Sequence, residues 1–206
     1  AEKMPITEDA PVQQPMSPYG NTKKVGEEII RDTAKASSIN AILLRYFNPI
    51  GAHPTAAIGE LPIGVPQNLV PFITQTAIGL RQELSVFGDD YPTSDGTAVR
   101  DYIHVVDLAK AHVIALERLL EKKNTDRVET FNLGTGTGSS VLEVIQSFER
   151  VSGQKLPYKI VPRREGDVTE AYANTHKANT VLGWKAESTL DEAMASAWKW
   201  EQKIRS

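Results

Sequence analysis

The sequence predicts an α/β fold, and two observations carry that expectation. Short apolar segments bounded by turn residues alternate with longer segments whose apolar residues recur at helical spacing. That alternation is how strands and helices build a sheet that is at least partly parallel. The 206 residues are 40% hydrophobic and include 14 glycines. This is the composition of a globular chain of one or two domains with a sizeable core.

The elements follow in order. Residues 1–17 carry Pro5, Pro11 and Pro15 among polar residues and read as a surface loop. Ser17-Pro18 places an N-cap and a first-turn proline ahead of a helix that runs to about Ala36, with Val25, Ile29 and Ile30 on it. Residues 39–46, INAILLRY, are short and apolar and predict a buried strand. Residues 47–68 are rich in Gly and Pro and predict a long loop, a length that usually serves binding. A helix is expected over 69–80, with Pro71 in its first turn, and a strand over 84–87. Residues 88–98 form a turn-rich excursion before a strand at 102–105. The clearest helix covers 106–122, where Leu108, Ala111, His112, Ala115, Leu116, Leu119 and Leu120 share helical spacing. A strand at 129–133 leads into the turn Gly134-Thr135-Gly136-Thr137-Gly138-Ser139. Ser140 and Glu143 then form a capping box for a helix that Gly153 ends. A strand over 158–161, a charged loop over 162–171, a short helix over 176–182 stopped by Gly183, and a helix over 189–204 complete the chain. Leu190, Ala193, Met194, Ala197 and Trp198 share one face of that last helix.

Composition excludes several functions. Lys plus Arg is 23 and Asp plus Glu is 26, for a net charge of -3. No basic excess or stripe marks a nucleic-acid surface. The longest clear apolar run is Ala41-Ile42-Leu43-Leu44, far short of the ~18 residues of a membrane helix. With no cysteine, disulfides, thiolate metal sites and thiol nucleophiles are ruled out. His53, His104, His112 and His176 show no metal-ligand spacing, so no metal is expected. His112 reads as a core or interface histidine with its hydrogen bonds met.

Two motifs have competing readings. Tyr19 and Lys23 lie four apart, one helical turn from each other. A phenol is a poor base at neutral pH, and a nearby ammonium favours its phenolate. By itself the pair is either a general base with its tuner or two surface residues. The run Gly134 to Gly138 follows a strand and precedes a helix, as a dinucleotide fingerprint would. The fingerprint needs a glycine where Ser139 stands, and no lysine completes a P-loop. A strand–helix turn shaped by small residues is the favoured reading.

The surroundings of Tyr19 raise its standing. Ser-Pro-Tyr-Gly-Asn-Thr-Lys (17–23) is followed by Leu-Arg-Tyr-Phe-Asn-Pro (44–49), then Gln67-Asn68-Leu69 and Val-Phe-Gly-Asp-Asp-Tyr (86–91). Val-Arg-Asp-Tyr-Ile-His-Val (99–105), Phe131-Asn132-Leu133-Gly134 and Arg-Arg-Glu-Gly-Asp (163–167) complete the series. This ordered set resembles the UDP-glucose 4-epimerases (UDP-galactose 4-epimerases) of the extended short-chain dehydrogenase/reductase superfamily, over residues 5–200. The family's opening Gly-rich turn, its acidic ribose partner and its catalytic Ser or Thr are not in this sequence. The expectation is therefore the carboxyl-terminal part of an epimerase, inactive by itself.

The resemblance implies an incomplete Rossmann-type NAD-binding domain, residues 1–47 and 100–134. A smaller α/β UDP-sugar-binding domain would comprise 48–99 and 135–206. It implies Tyr19 and Lys23 as catalytic residues that also meet NAD, with Tyr46 and Phe47 near the nicotinamide. It implies substrate contacts at Phe47, Asn48, Asn68, Leu69, Phe87, Arg100, Tyr102, Val141, Arg164, Asp167 and Ala171. Residue chemistry agrees with several of these. Arg100 and Arg164 are multidentate donors suited to a diphosphate. Phe87 and Tyr102 offer flat faces for a uracil and a hydroxyl for its ribose. Asp167 can accept from ribose hydroxyls, and Asn48 and Asn68 can hold sugar hydroxyls or phosphate. The blander roles are ion pairs and solvated charge, core packing, and turn formation.

Ala171 stands where family members carry either a large Tyr or a small residue near the sugar 2-substituent. A small residue implies acceptance of UDP-GlcNAc and UDP-GalNAc besides UDP-glucose and UDP-galactose; a one-residue slip would put Tyr172 there instead. The implied activity is interconversion at C4 through a 4-keto sugar, in a cytoplasmic enzyme that is a homodimer when complete. A sibling nucleotide-sugar 4,6-dehydratase or decarboxylase is the alternative, or a non-catalytic UDP-sugar-binding module.

Overall fold

The computed structural model describes residues 3–13, 15 and 17–206. The fold is α/β with mostly parallel strand pairing. Helix α1 (Pro18–Ala36) starts as expected, with the Ser17 hydroxyl accepting from the Gly20 N–H. Strand β1 (Ala41–Tyr46) lies parallel to β6 (Val128–Leu133), Ala41 opposite Val128. Arg45 ties α1 to β1 through two 2.7 Å contacts from its Nε and terminal nitrogen to the two carboxyl oxygens of Glu27. That fork holds the Glu27 carboxyl below the usual carboxylate range.

The expected loop at 47–68 holds a strand, β2 (Asn48–Ile50), parallel to β5 (Tyr102–His104). Its partner lies some fifty residues on, so no local signal marks it. Helix α2 (Leu69–Ala77) is shorter than expected, because Gly79 turns left-handed (φ +85°) and the chain closes back onto Gln75. Strand β3 (Leu84–Phe87) pairs in parallel with β8 (Tyr158–Val161). Three two-residue strands were not expected: β4 (Val99–Arg100), β7 (Ser139–Ser140) and β9 (Glu170–Ala171). They form one small sheet with β4 at its centre.

Helix α3 (Val105–Leu120) buries Leu108, Ala111 and Ala115 as its spacing predicts. His112, Leu116 and Leu120 instead face outward. The expectation of a core His112 is thus corrected, because the buried stripe is narrower than the apolar pattern. Its Nδ1 does meet the Leu108 carbonyl at 2.8 Å. Helix α4 (Val141–Ser152) has the Ser140/Glu143 capping box and ends at left-handed Gly153. The segment Ala178–Leu182 is a π-helical turn closed by Gly183, and α5 (Leu190–Arg205) ends the chain behind a Thr189/Glu192 capping box.

Two apolar cores result. One gathers α2, β3, α4 and α5 around Ile73, Phe148, Met194 and Trp198, with Phe148 and Trp198 edge to face at 5.5 Å. The other packs α3 against β6 around Ile103, Phe131 and Leu133, and Ala178, Leu182 and Trp184 join it.

Candidate functional site

Side chains alternate along an extended strand. Through the run Arg100-Asp101-Tyr102, joining β4 to β5, this sends Arg100 and Tyr102 to one side and Asp101 to the other. Arg100 and Tyr102 line a cavity of about 310 Å³. Asn48 at the start of β2, Asn68 and Leu69 at the start of α2, and Phe87 at the end of β3 line it too. So do Val141, the first residue of α4, and Arg164 and Asp167 from the loop after β8. One cavity thus collects the expected substrate residues apart from Phe47 and Ala171. Half-buried Ala171 sits beside it on β9, in register with Arg100.

The Arg164 guanidinium lies 3.9 Å from the centre of the Phe87 ring. Arg100 forms an ion pair with Asp167 and donates to the Val99 carbonyl at 2.8 Å. Burial pushes the Tyr102 phenol up to about 12, against the lowering effect of Arg100 and with a further rise from Asp167. Its hydroxyl therefore remains a hydrogen-bond donor at neutral pH. Two guanidinium groups and the positive end of α2 give the cavity the means to hold a diphosphate.

Glu60 also lines the cavity and was not anticipated. Its Oε1 accepts from the Asn68 amide at 2.9 Å, so Asn68 turns away from capping α2. The only sequence signal was an acidic residue within the Gly- and Pro-rich loop.

A second, more open cavity of about 630 Å³ runs along α1 and the end of β1. Lys23, Tyr46 and Phe47 line it, with Thr7, Arg45 and Asn132. Tyr19 precedes the lining residue Gly20, is 69% exposed, and has the Lys23 Nζ 5.1 Å from its ring centre. Phe47 borders this cavity and Asn48 the first, so adjacent residues stand between the two. An ammonium, a phenol and an exposed aromatic face fit the nicotinamide-ribose end of a dinucleotide.

The Gly134–Gly138 turn is structural. Fully buried Asp101 accepts from the Thr135 N–H at 2.8 Å, the Thr135 hydroxyl at 2.7 Å, the Gly136 N–H at 3.2 Å and the Ala173 N–H at 3.1 Å. A Cβ on Gly134 would stand 2.2 Å from Asp101 Oδ2, and one on Gly138 would stand 2.2 Å from Val99 Cγ1. The glycines let this turn close on the back of the Arg100–Tyr102 strand.

His104 anchors the same strand from its other end. Its Nδ1 accepts from the Val106 N–H at 3.0 Å, and its Nε2 meets the Ser196 hydroxyl at 3.2 Å. Ser196 donates to Ala193 O and accepts from Ala52 N, so the neutral ring carries its proton on Nε2. Burial lowers the His104 pKa below the usual histidine value, opposed by Asp107 and Glu192 and aided by Lys110. The unfolded chain then binds the proton more readily. The contribution is full above about pH 6.5 and is lost as pH falls below it. Urea titrations of wild type and His104→Gln should show the wild type losing more stability between about pH 7 and 5.5. Parallel curves would refute this assignment.

The parallel strands, flanking helices and cavity at the strand ends define a Rossmann-like α/β protein. The chain belongs to the family whose model is described as GDP-mannose 4,6 dehydratase, which matches residues 1–197. Within that family its similarity is to UDP-glucose 4-epimerases. It is 53% identical to the mouse (Mus musculus) enzyme over 201 residues, 97% of this chain and 57% of that protein. A solved UDP-glucose-4-epimerase from Stenotrophomonas maltophila, with bound NAD and formylated UDP-arabinopyranose, superposes with a TM-score of 0.95 at 49% identity. It covers 100% of this chain and 60% of that one. The Bifidobacterium longum enzyme, in complex with NAD+ and UDP, gives 0.91 at 48% identity over 99% of this chain and 60% of that one. The chain thus spans somewhat more than half the length of the relatives it matches. Among the described residues no helix is long and apolar enough to cross a membrane.

Proposed function

We propose that this chain carries the UDP-sugar site and the tyrosine–lysine pair of an NAD-dependent UDP-glucose 4-epimerase. The observation that carries the reading is the single cavity uniting Arg100, Arg164, Phe87 and Tyr102. The guanidinium groups of Arg100 and Arg164 hold the diphosphate, and the Phe87 and Tyr102 rings flank the uridine. Asp167 accepts from the ribose, Leu69 and Val141 close the apolar wall, and Asn48 and Asn68 meet the sugar and phosphate.

Tyr19 is the general base that takes the proton of the sugar 4-hydroxyl and returns it to the other epimer. Lys23 orients Tyr19 and holds the nicotinamide ribose, with Tyr46 and Phe47 beside the nicotinamide. When bound, NAD supplies the hydride acceptor and donor that no side chain can provide. The sugar turns over as a 4-keto species between the two proton transfers. Small Ala171 extends the range to the N-acetylated UDP-sugars.

In this reading residues 1–47 and 100–134 belong to the NAD-binding domain and 48–99 and 135–206 to the UDP-sugar-binding domain, with Arg100 and Tyr102 reaching from the first into the UDP-sugar cavity. The two cores follow that division only in part, since Ala178, Leu182 and Trp184 pack into the core of Ile103, Phe131 and Leu133. We place the complete enzyme in the cytoplasm as a homodimer; the exposed apolar residues Ile29, Leu116 and Leu120 on α1 and α3 support the association. The dehydratase or decarboxylase alternative needs an extra acid–base pair beside the family's Ser or Thr, which is not in this sequence; the Arg163–Asp167 run and the Asn68-Leu69 context favour the epimerase.

Isothermal titration of the chain with UDP tests the site. UDP should bind, and Arg164→Ala should weaken it by about tenfold or more, as loss of a charge-assisted contact does. No binding to the wild type would refute the reading.

A further inference from the structure

Glu60 and Asn68 reach the cavity from the long segment between β2 and α2, which has no regular structure of its own until α2 begins. That segment is held from outside by α5. The Trp200 indole N–H donates to the Glu60 carbonyl at 2.8 Å. The backbone of Gly59 lies flat on the same ring, so closely that a Cβ there would stand 2.5 Å from the indole Cγ. Lys199 adds a 2.8 Å bond to the Pro54 carbonyl. Glu60, placed in this way, accepts from Asn68. Trp200 itself is not among the residues lining the cavity.

We infer that Trp200 is a positioning residue for the UDP-sugar site, acting through Gly59 and Glu60 on Asn68. The inference rests on the UDP-sugar reading above. An indole is suited to the task because it gives both a flat floor for a glycine backbone and an N–H for the next carbonyl. Phenylalanine supplies only the first. Trp200 is partly exposed on α5, whereas Trp198 carries the core packing. The Trp200 ring can therefore be removed without opening the core.

The test compares UDP-glucose and UMP binding by calorimetry in the wild type, Gly59→Ala, Trp200→Ala and the double variant, with thermal melts alongside. Each single variant should weaken UDP-glucose by about five- to tenfold and leave UMP within about twofold. Gly59→Ala pushes the loop off the ring while leaving α5 intact, so it serves even if Trp200→Ala folds poorly. The double variant should be no weaker than Trp200→Ala, because removing the ring clears space for the added methyl. If the wild type binds both ligands and the variants match it, the inference falls and the UDP-sugar reading stands. Equal losses of UMP and UDP-glucose would make the platform merely structural and also overturn it. A wild type that binds neither ligand removes the reading and this inference together.

Discussion

Asp101→Ala is expected to cost about 3–5 kcal/mol of folding stability, a large share of what a domain of this size has. The carboxyl group accepts four hydrogen bonds from three residues at two separated places in the chain, Thr135-Gly136 and Ala173. Alanine leaves those donors buried around a void, and each unmet donor costs about 1–3 kcal/mol. Asp101→Asn keeps the shape but turns an NH2 toward two of the four donors, so it should recover only part of the loss. The cost extends to function. Arg100 and Tyr102 flank Asp101 and line the cavity, and β4 is a central strand of only two residues. UDP affinity should fall together with stability. Urea unfolding of the two variants decides the matter, and a loss under about 1 kcal/mol for Asp101→Ala would contradict this account.

Tyr19→Phe should lower conversion of UDP-galactose to UDP-glucose, assayed with NAD added to the active enzyme, by about 10²–10⁴-fold. UDP affinity should stay within about twofold, because Tyr19 is not among the residues lining the cavity proposed for UDP. The hydroxyl is the only atom removed. Tyr19 is exposed and makes no side-chain hydrogen bond among those found for the described residues, so stability should hardly change. A variant turning over at the wild-type rate would remove Tyr19 from the chemistry and leave the two surface residues that the spacing alone allows.

These two residues were unequally visible in the sequence. The place of Tyr19 at the start of α1 was legible because its neighbours Ser17, Pro18, Gly20 and Lys23 form one contiguous string, and an N-cap acts within three residues of itself. Asp101 was quoted only as part of a motif. Its role depends on Thr135 and Ala173, which lie 34 and 72 residues away. Glu60 escaped notice for the same reason, as its partners are Asn68 and Trp200. The resemblance carried by the spaced motifs named residues that line the cavity of about 310 Å³, but no local rule could have shown that they share one.

The sequence by itself determined the α/β alternation, the start of α1, the capping box of α4 and the glycine stops at 153 and 183. Each is set by interactions within a few residues, where chain connectivity already holds the partners together. Only the tertiary structure decided β2, β4, β7 and β9, the outward turn of His112 and Leu116, and the use of the Gly134–Gly138 run as a seat for Asp101. Those features exist because distant segments meet. A two-residue strand has no propensity strong enough to announce itself, and burial of a helix face depends on what packs against it.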